Sequence, residues 1–259
     1  MRQPAIFLSH GAPTIMLEEN ATTRFWQSLP GLLPGKPRAV LCVSAHWDRP
    51  QLGISGTLGA VGIQHDFYGF PQALYDITWK EHEDKETAAW LLKRLHELNV
   101  TVQEENWPKD HGVWVPLKKA WPSADIPVYQ LSLTMNDGLD SHWESGHSLS
   151  ALRDEGVLIV GSGGITHNLR MLDWQATESE VAPWAKKFVE EVELAIAKQD
   201  RAALSDPWQF SYGKECHPTT EHYAPLLFTL GAAHGEPIKV MHRAWMYGTF
   251  SLNAYAAGL

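Results

Sequence analysis

Cysteine is nearly missing from this chain: Cys42 and Cys216 are the only two in 259 residues. They form no C-x-x-C pair and no disulfide framework, which suits a reducing compartment. Cys42 lies in an apolar run and reads as inert core, while Cys216 lies in a polar loop, where a reactive thiol is the minor reading. Basic residues are sparse too. Lys and Arg number 21 against 30 Asp and Glu, for a formal charge of −9, which leaves no electrostatic footprint for nucleic acid. No apolar run approaches the length of a membrane span. The N-terminus lacks the charged lead, apolar core and cleavage site of a secretory signal. A cytoplasmic protein is therefore expected, with no membrane or nucleic-acid partner and with its oligomeric state open. Nucleophile motifs are missing as well, with neither a G-x-S-x-G elbow nor an H-E-x-x-H zinc motif.

What remains is an alternation of strand and helix patterns. Strands are predicted over residues 5–8, 39–44, 100–104, 127–133 and 157–161, with a possible edge strand over 51–57 and closing strands over 238–241 and 248–255. Helices are predicted over 22–33, 83–98, 183–198 and 221–233. In the second of these, Ala88, Leu91, Leu92 and Leu95 fall on one face. A further helix over 141–155 would take Ser141 as N-cap, with Glu144 completing a capping box. The charged run at 81–86 reads as a solvated helix start. With no internal repeat and no linker, the pattern predicts one α/β domain over 1–259, a largely parallel sheet flanked by helices. Several of the twelve tryptophans, Trp107, Trp121 and Trp208 among them, sit in loop contexts where they either wall a pocket or fill the core.

Four histidines stand where apolar runs give way to loops. His10 follows Leu8-Ser9 and precedes Gly11-Ala12-Pro13. His46 closes Val43-Ser44-Ala45, with Trp47 after it as a possible water shield. His167 follows the glycine-rich stretch Gly161-Ser162-Gly163-Gly164, which lacks the spacing and lysine of a phosphate loop. Those glycines are expected to let the backbone pass close to a ligand. His222 opens a helical pattern beside Glu221, and neighbours on a helix point about 100° apart, so only one of the two can face a site. Parallel strands end on one edge, where such imidazoles can meet and hold a divalent metal. Alternatively, each is an isolated histidine bonded to nearby backbone. His111, in Asp110-His111-Gly112, either points into the same cleft or bonds Asp110. The aromatic loop His65-Asp66-Phe67-Tyr68-Gly69-Phe70-Pro71 either walls a flat ring substrate or is an ordinary packed turn.

Taken in order, these stretches resemble the class III extradiol ring-cleaving dioxygenases, most closely the 4,5-DOPA extradiol dioxygenase branch of bacteria and plants. The matching segments are Ser9-His10-Gly11-Ala12-Pro13, Ser44-Ala45-His46-Trp47, His65-Asp66-Phe67 with Gly69-Phe70-Pro71, Asp110-His111-Gly112, Ser162-Gly163 with His167-Asn168, and His217-Pro218-Thr219 with Glu221-His222-Tyr223. The resemblance implies one divalent metal held by His10, His46 and His222, with His167 as acid–base residue and possible fourth ligand. It implies His111 as a second catalytic group near oxygen, and His65 and Phe67 at the substrate. The reaction implied is opening of a catechol such as L-DOPA by O2 to a muconic semialdehyde. Fe(II) is the metal expected for that chemistry. The third ligand here reads as histidine where the wider class carries a carboxylate, and three imidazoles also suit zinc. A zinc-dependent hydrolase, or a non-catalytic metal-binding protein, on the same scaffold are the rival readings.

Overall fold

The computed structural model describes residues 1–80 and 82–259; residue 81, at the head of the charged run, lies outside the described residues. The strands are β1 (Ala5–Ser9), β2 (Ala39–Asp48), β3 (Gly53–Ser55), β4 (Gln103–Glu105), β5 (Val128–Leu133), β6 (Val157–Gly163), β7 (Ile238–His242), β8 (Trp245–Met246), β9 (Phe250–Ser251) and β10 (Ala254–Ala257). Among the described residues, eight of them form one sheet in the order β4-β3-β5-β2-β6-β1-β10-β7, while β8 pairs with β9. The central strands β5, β2, β6 and β1 are mutually parallel. Antiparallel pairings appear toward the edges, at β3–β5, β1–β10 and β10–β7. The architecture is thus α/β with a largely parallel sheet, as the alternating pattern predicts.

Both faces of the sheet are covered at its centre, so β1, β2, β5 and β6 are buried at successive positions. On β1, Ile6 and Leu8 pack with Trp26, Trp114, Val40 and Cys42, whereas Phe7 faces Phe188, Val192, Leu226 and Tyr255. On β2, Leu41 and Val43 join Leu91, Leu95 and Phe228. The period-two alternation of a strand makes this division, and each large side chain removed from water stabilises the fold by about 1.5–3 kcal/mol.

Helix termini follow local chemistry. In Ala21–Leu32, Asn20 Oδ1 accepts from the Thr23 N–H at 2.9 Å and Thr23 Oγ1 accepts from the Asn20 N–H at 2.9 Å, closing a capping box. Asp84 caps Lys85–Glu97 without a reciprocal bond, its carboxylate accepting from the Thr87 N–H at 2.9 Å and from Thr87 Oγ1 at 2.7 Å, and Pro183 opens Pro183–Lys198. The helix expected over 141–155 runs instead from Leu139 to Leu149, continued by a 3-10 turn over Ser150–Arg153. It starts early at Gly138, so Ser141 lies in its first turn and donates to the Gly138 carbonyl at 2.7 Å rather than capping. The strand expected over 248–255 is two short ones, parted at Leu252 and Asn253. The last helix, Ala224–Ala233, begins three residues later than predicted. Among the described residues, no helix is long and apolar enough to cross a membrane.

The register fixes where the site lies. Ser9 pairs with Gly163, and Ser44 with Ser162, so β1, β2 and β6 end at one edge of the sheet. The β2–β5 ladder shifts between Val43 and Asp48, which re-aims the backbone carrying His46.

Candidate metal centre

His10 leaves the end of β1, and its backbone N–H donates to the Gly163 carbonyl at 3.1 Å. Its Nδ1 lies 2.9 Å from Ser162 Oγ, and that hydroxyl in turn donates to the carbonyl of Gly112. A hydroxyl has one proton. With it given to Gly112, Ser162 must accept from His10 Nδ1–H, which leaves His10 Nε2 with a free lone pair.

That Nε2 lies 3.2 Å from Nε2 of His46, and His46 Nε2 lies 3.3 Å from Nε2 of His222. Behind His222, Nδ1–H donates to Glu221 Oε1 at 3.2 Å, and the same oxygen accepts from Thr219 Oγ1 at 3.0 Å. Behind His46, Nδ1 faces Asp66 Oδ2 at 3.6 Å. The helical picture of Glu221 and His222 as divergent rivals does not hold. Both lie in the turn before the helix, where Glu221 backs the imidazole and sets its tautomer.

Lone pairs facing one another repel unless a positive centre lies among them. Two nitrogens each about 2.0–2.1 Å from one cation sit about 2.9–3.4 Å apart at angles from octahedral to tetrahedral. The separations of 3.2 and 3.3 Å fall in that interval, so His10, His46 and His222 fit one divalent transition metal. Burial, reinforced by neighbouring imidazoles, pushes all three well below the usual histidine range. Being neutral, they offer their lone pairs without first losing a proton.

His167 stacks flat on His222, with ring centroids 3.3 Å apart and planes 4° from parallel. Its ligating atoms group with Glu221 and His222, not with His10 and His46. Burial, then the nearby His217 and His111, lowers it to about 3. His111 begins the helix His111–Ala120, its ring centroid 4.1 Å from that of His46. It does not bond Asp110. Asp66 holds it instead, while Asp110 accepts from Ser44 Oγ and Gln130 Nε2 at 2.6 Å each and ties the segment to β2 and β5.

A cavity of about 470 Å³ opens beside these rings. Its deep end is imidazole, with His10 and His222 only 2% and 4% exposed; its mouth is aromatic, with Tyr68 at 92% and Trp174 at 57%. Phe67 lines it. His65 does not: its ring packs against Phe67, Tyr75 and Trp114, while Asp66 reaches the cavity beside Phe67. Trp47, expected as a shield, is buried and stacked on Trp107. Trp208 borders a different hollow, reached from the other side of His46.

One further expectation changes. The glycines of β6 make room for protein, not ligand. A Cβ on Gly161 would come within 2.2 Å of the Pro225 carbonyl oxygen, and one on Gly163 within 2.2 Å of the His222 carbonyl oxygen. They allow the turn bearing His222 to lie directly on the strand bearing Ser162. Cys216 is fully buried, and burial raises its thiol far above the usual range, so it is no nucleophile. Sequence reasoning also passed over Asp66, Ser162 and Trp174. Asp66 and Ser162 stood inside quoted motifs but carried no signal of their partners, and Trp174 lay in a polar stretch without periodicity.

Residues 4–257 match the family described as the catalytic LigB subunit of aromatic ring-opening dioxygenase. The chain is 40% identical to the 4,5-DOPA dioxygenase extradiol of Escherichia coli (strain K12), over 99% of this chain and 95% of that protein. It is 33% identical to the 4,5-DOPA dioxygenase extradiol of Beta vulgaris, over 96% and 94% of the two chains. The crystal structure of an uncharacterized protein from Escherichia coli K12 superposes with a TM-score of 0.81 at 34% identity, covering 99% of this chain and all of that one.

Proposed function

The chain belongs to the family of the catalytic LigB subunit of aromatic ring-opening dioxygenase, is an extradiol ring-cleaving dioxygenase, and on that premise we propose how its residues divide the work. Residues 1–259 act as one catalytic unit that opens a catechol of the L-DOPA kind, using one Fe(II) held by His10, His46 and His222. The observation that carries this reading is the approach of three imidazole Nε2 atoms to 3.2 and 3.3 Å beside an aromatic-walled cavity. Its support is chemical: neutral nitrogens in that spacing suit a divalent cation.

When bound, Fe(II) supplies a Lewis-acidic, redox-active centre at which a catechol and O2 can combine. Overall, the ring C–C bond next to the diol breaks and both atoms of O2 enter the product, a muconic semialdehyde. Ser162 and Glu221 fix the tautomers of His10 and His222, so their Nε2 atoms stay unprotonated and aimed inward. Phe67 presents an apolar wall to the substrate ring. His111, with Nδ1–H on Asp66, presents Nε2 to the cavity as a proton acceptor from the diol, or as a donor once it has been protonated. His167 is unprotonated and stacked on His222, and takes or returns a proton at its free ring nitrogen. It acts as an acid–base residue rather than as the fourth ligand.

The test is anaerobic reconstitution with Fe(II) or with zinc, followed by catechol and air. A coloured semialdehyde formed with one-for-one oxygen uptake in the Fe(II) sample is the expected result. Ester or amide hydrolysis seen only with zinc would replace this reading with the hydrolase.

A further inference from the structure

Away from the cavity, a second pair of histidines meets at the surface. His147 stands in the last turn of the helix Leu139–Leu149, and His234 is the left-handed C-cap of the helix Ala224–Ala233, with φ 53°. Their Nδ1 atoms lie 3.2 Å apart and their ring centroids 4.5 Å apart. In the metal centre, His46 and His222 have facing nitrogens 3.3 Å apart and centroids 4.8 Å apart. The surface pair thus repeats the spacing of two imidazoles on one cation.

The fold brings these rings together. A Cβ on Gly146 would come within 1.9 Å of the Phe228 carbonyl oxygen, and one on Gly231 within 2.0 Å of the Trp143 carbonyl oxygen, so the two helices touch backbone to backbone. Trp143 lies flat against His147, with centroids 4.9 Å apart and planes 13° from parallel. Its ring carries the Arg201 guanidinium at 3.8 Å, which pairs with both Asp140 and Glu144. Two carboxylates against one guanidinium leave a negative balance nearby. Both histidines also stand at helix C-termini, whose partial negative charge favours a cation. A proton on either Nδ1 joins the rings as a plain hydrogen bond. A metal ion joins them when each ring carries its proton on Nε2.

We propose that His147 and His234 form a second metal site, which takes a divalent ion such as zinc, nickel or copper(II) and leaves its other positions to water. Imidazole nitrogens prefer such ions to magnesium or calcium. Two ligands at the surface hold an ion less tightly than three buried ones, so this site fills after the centre, at free zinc about a thousandfold higher. An ion there ties together the ends of two helices, one of which begins directly after the turn bearing His222.

Zinc titrated into the metal-free protein, followed by calorimetry and equilibrium dialysis, tests the site. The wild type should bind two equivalents, and His147→Gln and His234→Asn one each. Asparagine is chosen because it tolerates the left-handed backbone at that position. The two substitutions lie at different helix ends, so one remains decisive if the other prevents folding. His46→Ala should lose the tighter equivalent and keep the weaker, and excess magnesium should displace neither in the wild type. A weaker equivalent that survives either surface substitution, or that magnesium displaces, would overturn the proposal. So would a wild type that binds a single equivalent up to free zinc about ten-thousandfold above the dissociation constant of the centre, for the pair would then be a hydrogen bond alone.

Discussion

Asp66 holds His111 at two points: Oδ1 accepts the backbone N–H at 2.9 Å, and Oδ2 accepts Nδ1–H at 3.0 Å. One carboxylate therefore sets both the start of a helix and the orientation of a ring facing the cavity. Burial opposes its charge, but the hydrogen bonds from His111 prevail and hold it below the usual carboxylate range.

Asp66→Asn keeps the shape and removes the charge, so His111 loses its fixed tautomer. Turnover should fall about 10–100-fold while bound metal stays near the wild-type level. Steady-state rates beside metal analysis check this, and unchanged turnover would remove Asp66 from the mechanism.

His46 stands between His10 and His222, so His46→Ala should abolish stoichiometric metal binding after dialysis. His167→Ala should retain most of the metal and lose at least about 100-fold in turnover. Loss of metal in the second variant would make His167 a ligand instead.

Metal binding to the folded state alone raises its stability, by about 2.7 kcal/mol at a hundredfold excess over the dissociation constant. Added Fe(II) or zinc should therefore raise the thermal midpoint of the metal-free protein and leave His46→Ala unmoved. An equal rise in both would place the stabilising ion elsewhere.

Gly163→Ala places a Cβ against the carbonyl of His222, where backbone must yield. A loss of about 1–3 kcal/mol is expected from overpacking, together with weaker metal binding because the turn bearing His222 shifts. Denaturant titration and metal competition measure the two effects, and a neutral result in both would show that strand and turn can separate freely.

His217 is fully buried, and burial lowers it to about 4. The unfolded chain, titrating near 6.5, binds more protons than the folded chain between these values, so stability rises with pH there. The contribution is complete above about 6.5 and is lost as pH falls through about 4, on the order of 3 kcal/mol in all. Urea midpoints at pH 7 and pH 5 should separate less in His217→Gln than in the wild type. Identical separations would assign the pH dependence to other groups.

Much of the fold was legible because its elements are locally encoded. The apolar runs at β1, β2 and β6 are unbroken, those of β2 and β6 carrying Val and Ile, and the helix at Lys85–Glu97 carries a regular apolar face. The predictions failed where a terminus answered to non-local packing. Glu221 and His222 were placed on a helix because their pattern permits one, but the turn is held by contact with Gly163 at the end of β6 and by the Gly164 N–H just after it, which donates to the His222 carbonyl. His65 and Asp66 were equally eligible for the cavity, and only the packing of the His65 ring on Phe67, Tyr75 and Trp114 chose between them.

Residue types and their order were enough to set the strands, the strand-end histidines and the likeness to ring-opening dioxygenases. Tertiary structure alone decided which atoms face each other: Ser162 behind His10, Glu221 behind His222, Asp66 behind His111, and aromatic rings at the cavity mouth. Secondary structure arises from neighbours along the chain, whereas a lone pair's direction depends on the group behind it, and here several of those groups lie dozens of residues away.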